Sequence, residues 1–142
     1  MKNLLAVVSL FAGTVLAAPV DVAEKFGFDA QDSTRFIQAA IDSGAPEILL
    51  VKKETPWVTL PLKMRSELKI LFADGAELHA KKDAFRGTHD KVFQMRNLSD
   101  VSICGLGEKG GTIRMHKRDY QEPPYESSEW RHVLHITGCS RV

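Results

Sequence analysis

Two stretches of this chain can be laid over one another, and their overlap limits the fold more than any other feature. Val92-Phe93-Gln94-Met95-Arg96-Asn97-Leu98-Ser99-Asp100-Val101 aligns with Val133-Leu134-His135-Ile136-Thr137-Gly138-Cys139-Ser140-Arg141-Val142 at a constant offset of 41 residues. Apolar positions coincide at Val92/Val133, Phe93/Leu134, Met95/Ile136, Leu98/Cys139 and Val101/Val142. Asn97 meets Gly138 at a turn position, and Ser99 meets Ser140. Each copy reads as a strand, a tight turn with one inward apolar residue, and the start of another strand. A unit this small cannot bury its apolar face alone, so the pattern makes sense if copies stack with equivalent strands pairing in parallel. The alternative is a chance likeness between two strand–turn pairs of a β-sandwich.

The rest of the chain is mostly extended. Short apolar or alternating runs predict strands at 47–51, 57–62, 68–72, 76–80, 92–95, 101–104, 112–115 and 132–136, separated by polar or Gly-containing turns. One helix is predicted after the leader, over about 33–43. Asp32 serves as its N-cap, Phe36, Ile37, Ala40 and Ile41 form an apolar stripe, Gly44 ends it and Pro46 prevents continuation. A single helix rules out regular βαβ alternation and favours an all-β class. The offset of 41 exceeds the length of a minimal coil, and the polar, Pro-broken stretch 116–131 accounts for the excess as an extruded loop.

Residues 1–17 predict an export signal. Met1-Lys2-Asn3 is a charged start, Leu4 to Leu16 is apolar, and Val15 and Ala17 are small at the two positions a cleavage site requires, so the cut is expected after Ala17. The apolar run is short of the roughly 20 residues a spanning helix needs, so no stable membrane anchor is expected. Removing residues 1–17 from 142 leaves 125, enough for one domain. Lys2 is the one charge lost, which leaves 18 basic and 18 acidic residues and gives no reason to expect nucleic acid as a partner. Cys104 and Cys139 are out of stacking register and are expected as two buried thiols rather than a disulfide.

Phe26-Gly27-Phe28-Asp29-Ala30-Gln31-Asp32-Ser33-Thr34, with Phe36-Ile37-Gln38-Ala39-Ala40-Ile41-Asp42 after it, resembles the opening segment of pectate-lyase-superfamily proteins. There an "FGA…DGxxDDTxAIQxAID" stretch forms a helix that caps the first coil. Leu60-Pro61-Leu62 and Leu68 to Leu78, with Asp74-Gly75-Ala76, resemble the coils that follow. Ser128-Glu129-Trp130-Arg131-His132, running into Gly138-Cys139-Ser140, resembles a segment that precedes the groove-lining coils of such proteins. The chain departs from the pattern at Phe28-Asp29-Ala30-Gln31 and at Lys53-Glu54-Thr55-Pro56-Trp57. The resemblance implies an all-β, right-handed parallel β-helix: a segment at 18–46 containing the capping helix, then first coils over 47–142 with the 116–131 loop. It also implies the N-terminal part of a longer secreted protein that binds or degrades polysaccharide, including uronate-containing polysaccharide.

The family's enzymes work with clustered aspartates or with calcium held by carboxylates, on later coils than this chain reaches, so no catalytic residue is carried over. A full-length lyase would use calcium, whereas this stretch is expected to hold no cofactor and no metal. His132 and His135 have a His-x-x-His spacing, but on a strand they point to opposite faces. The remaining chemistry lies in and beside the loop. Arg118, Tyr120, Tyr125, Trp130, Arg131 and His132 are the candidate saccharide-binding residues, because aromatic faces stack on sugars and Arg pairs with acidic ones. The alternatives are a non-catalytic glycan-binding or adhesion module, and a solvated loop whose aromatics pack down on the scaffold.

Overall fold

The computed structural model describes residues 17–142, so the expected signal segment lies outside the described residues except for Ala17, which is exposed. The chain runs β1 (Val20–Asp21), α1 (Val22–Lys25), α2 (Thr34–Asp42), β2 (Glu47–Leu50), β3 (Trp57–Thr59), β4 (Leu62–Lys63), β5 (Leu68–Phe72), β6 (Glu77–Ala80), β7 (Lys91–Arg96), β8 (Val101–Gly105), β9 (Thr112–Arg114) and β10 (His132–Thr137). A 3-10 turn at Asp119–Gln121 interrupts the long connection before β10.

These strands form three separate parallel sheets, in the orders β1-β2-β5-β8, β3-β6-β9 and β4-β7-β10. The pairing of β7 with β10 sets Phe93 against Leu134 and Met95 against Ile136, the 41-residue offset visible in the sequence. The expected fold class, an all-β right-handed parallel β-helix, is nonetheless corrected. The strand ladders are confined within sheets of four, three and three strands, and among the described residues no closed solenoid joins them. Strand accounts for 33% of the described chain, and helix for a further 13%. The physical reason is that a repeat of inward apolar residues reports which strands pair and which way side chains face. It carries no information on handedness or closure.

Alternation explains the strands locally. Ile48 and Leu50, Trp57 and Thr59, and Leu78 and Ala80 point inward while their neighbours are half-exposed. The predicted strand at 57–62 is split at Leu60-Pro61, because Pro61 has no N–H to donate to a ladder. One continuous core results, with Trp57, Phe72, Phe85, Phe93 and Met95 fully buried. The buried Trp57 indole is satisfied, donating from Nε1 to the Val51 carbonyl at 2.8 Å.

Helix α2 begins one residue later than expected, with Ser33 at the cap position. Asp32 still accepts from the Thr34 backbone N–H at 3.0 Å and from the Thr34 hydroxyl, while its other oxygen accepts from Lys81 at 2.8 Å. At the far end Arg65 donates to the carbonyls of Ile41 at 2.6 Å and Ala45 at 2.5 Å, satisfying groups that the helix leaves unpaired. Helix α2 packs on β4 and α1 on β2, so Ile37, Ala40, Ile41 and Val22 are removed from water. The cysteine expectation is corrected in part. Both thiols are free, but Cys104 is exposed and Cys139 half-buried, because β8 is the last strand of its sheet and Cys104 falls on its outer face.

Candidate functional site

The loop between β9 and β10 separates the six candidate residues into a buried set and an exposed set. Tyr120 and Tyr125 belong to the core, their rings edge-on at 5.0 Å between centroids. Burial pushes both phenols above their ordinary pKa, and neither hydroxyl finds a hydrogen-bond partner among the described residues. Arg131 is 9% exposed and lies over both rings, at 5.4 Å from Tyr120 and 5.5 Å from Tyr125. Its guanidinium donates to the carbonyls of Phe85 and Gly87 at 3.0 Å, Glu126 at 2.8 Å and Arg86 at 3.1 Å. Three of these carbonyls come from the 85–87 turn and one from the loop itself. Arg131 is therefore a staple that closes the loop onto the scaffold. Three of its nitrogens are engaged in this internal network, and its side chain still borders the open cleft lined by Met115 and Val133.

Trp130 is the opposite case. Its side chain is 60% exposed, yet its backbone is held at both polar groups. The carbonyl accepts from the buried ammonium of Lys91, and the N–H donates to the Ser128 hydroxyl at 3.0 Å. Ser128 is itself anchored, donating to the Thr88 carbonyl at 2.6 Å. Burial lowers the Lys91 pKa, partly offset by the Asp90 carboxylate. The indole is flanked by two imidazoles, His89 stacked at 6.3 Å with 12° between planes and His132 edge-on at 6.4 Å. His89 is not among the six candidate residues. It lies 41 positions before Trp130, the same offset that relates β7 to β10, and that offset could have found it.

Next to this row is an open cleft of about 740 Å³, with Met115 and Val133 as apolar lining and Lys117, Gln121, Glu129 and His132 as polar lining. Glu129 is the one carboxylate among its described lining residues. Arg118 is exposed and faces a different depression, shared with Asp83 and Pro124. Of the six candidates, then, Trp130 and His132 share a surface, Tyr120 and Arg131 are buried but border the cleft with His132, Tyr125 is buried against them, and Arg118 lies apart.

His135 is on β10 and bonds the Thr137 hydroxyl at 2.8 Å, and His79 pairs with Glu77 at 2.8 Å. Among the described residues no group of three or more His, Cys, Asp or Glu is arranged to hold a metal ion. No described helix is long and apolar enough to cross a membrane.

Comparison with protein-family models, curated proteins and solved structures gives no match. The likeness to pectate-lyase-superfamily proteins therefore rests on the quoted residues alone.

Proposed function

We propose that this is an exported protein that binds polysaccharide on the surface formed by Trp130, His89 and His132 and the cleft beside them. The observation that carries the reading is the contrast within Trp130, whose ring is exposed while its backbone is pinned by Lys91 and Ser128. An aromatic face held rigid and exposed loses little conformational freedom when it stacks on a sugar ring. The two imidazoles, one parallel and one edge-on to the indole, add polar ring nitrogens beside it, and the polar cleft gives hydroxyl-rich chains a second surface. Export is supported by the pattern of residues 1–17.

Binding is favoured over cleavage because two flanking carboxyl groups are needed for glycosidic hydrolysis, and the cleft's described lining has Glu129 alone. The test is affinity electrophoresis of the full chain through gels containing neutral and uronate-containing polysaccharides. Retardation by at least one polysaccharide, kept in Tyr120→Phe and weakened roughly tenfold in Trp130→Ala, is the expected result. Equal mobility in every gel, or retardation unaffected by Trp130→Ala, would refute it.

A further inference from the structure

We infer that Asn97 is a site of N-linked glycosylation. Asn97-Leu98-Ser99 has the acceptor sequence, and the structure puts it where an attached oligosaccharide can be accommodated. Asn97 is exposed and follows directly on β7, with φ of 54°, a backbone conformation that Asn adopts more readily than most residues. Its amide has a defined orientation. Oδ1 is the atom that faces Gly138 of the adjacent copy, close enough that a Cβ there would collide with it. Nδ2, the atom that would carry the sugar, lies farther from that point than 4.0 Å and so is directed away from the neighbouring turn.

The geometry beyond the turn is also permissive. Ser99 is held by its backbone, donating to the Ser66 hydroxyl at 3.0 Å and bridging to Ser140. The Ser99 hydroxyl also acts on the neighbouring Asp100 carboxylate, helping to lower its pKa, and Ser99→Thr keeps that hydroxyl. Lys91, which pins the Trp130 carbonyl, opens β7, and Asn97 follows its other end, roughly 20 Å away at strand rise. The attachment point is thus separated from the Trp130 platform by the length of β7.

The reaction transfers an oligosaccharide from a lipid-linked diphosphate donor. Asn97 Nδ2 bonds to the anomeric carbon, the carbon–oxygen bond to the diphosphate breaks, the lipid diphosphate leaves and the amide gives up one proton to the transferase. No oxidation or reduction is involved.

The site rests on the export reading only in that the chain must enter a secretory compartment, and the experiment separates the two. The full chain is expressed in a eukaryotic secretory host, once with its own residues 1–17 and once with a host export leader in their place. Intact mass and glycan release are read for the wild type, Ser99→Ala and Ser99→Thr. The expected result is a glycan on most exported chains, kept in Ser99→Thr, lost in Ser99→Ala, and leaving Asn97→Asp after enzymatic release. A glycan seen only with the host leader would support the site while contradicting export by residues 1–17. Chains exported by the host leader with Asn97 unmodified would overturn the inference.

Discussion

Met95 and Ile136 are direct register partners on β7 and β10, yet Met95 is 1% exposed and Ile136 46%. The same inward position is a closed core in one copy and an open edge in the next, because β10 has β7 on one side and, among the described residues, no further strand on the other. Energetic weight should follow burial rather than sequence equivalence. Met95→Ala is expected to cost about 2–5 kcal/mol, and Ile136→Ala less than about 1 kcal/mol. Denaturant unfolding of the two variants side by side checks this, and equal losses would mean that Ile136 is covered in solution.

Arg131 should behave as a structural residue. Replacing it by Met removes the donors to Phe85, Arg86, Gly87 and Glu126, and each carbonyl left buried without a partner costs about 1–3 kcal/mol. Arg131→Lys should fail to rescue, since an ammonium cannot reproduce the planar fork. Amide exchange should show residues 116–131 and 85–87 losing protection together, with α2 unaffected.

The Asp32 cluster sets an acid limit. Burial works to raise the Asp32 pKa, but hydrogen bonds from Lys81 and Thr34 outweigh it, and the net shift is downward from 3.8. A carboxyl depressed in the folded state contributes stability above its unfolded pKa, and that contribution is lost as pH falls through the lower folded value. Asp32→Asn should therefore be less stable than the wild type near neutral pH, with the difference closing below about pH 4. Thermal unfolding across that range measures it.

Lys91 titrates in the other direction. Its pKa lies below 10.5 in the folded chain, so on raising the pH the folded protein releases this proton before the unfolded chain does. Stability at this residue then rises with pH between the folded value and 10.5, while the ammonium that holds the Trp130 carbonyl becomes an amine. Trp130 emission should shift with a midpoint below 10.5, and Lys91→Met should abolish the transition.

Strand positions and the β7–β10 register were legible because both follow from alternation and from the offset between Met95 and Ile136. Helix α2 was legible from its stripe and flanking residues, though the capping hydrogen bonds around Asp32 and Ser33 depend on tertiary placement of Lys81 and Val58. The architecture beyond one sheet was not legible, since nothing in an apolar repeat states how sheets meet. At the site, Trp130 and His132 were singled out by residue type. The same criterion grouped with them Tyr120, Tyr125 and Arg131, which the fold buries while Tyr120 and Arg131 still border the cleft. An aromatic or Arg in a polar loop looks the same in sequence whether it faces water or, like Arg131, turns inward to collect carbonyls.

Titration of the full-length protein with soluble polysaccharide, followed by tryptophan emission, addresses the binding surface most directly. The chain has two tryptophans, and Trp57 is fully buried, so a saturable change reports Trp130. A blue shift on binding that disappears in Trp130→Ala is the predicted result. An unchanged spectrum at saturating polysaccharide, or a shift that survives Trp130→Ala, would contradict it.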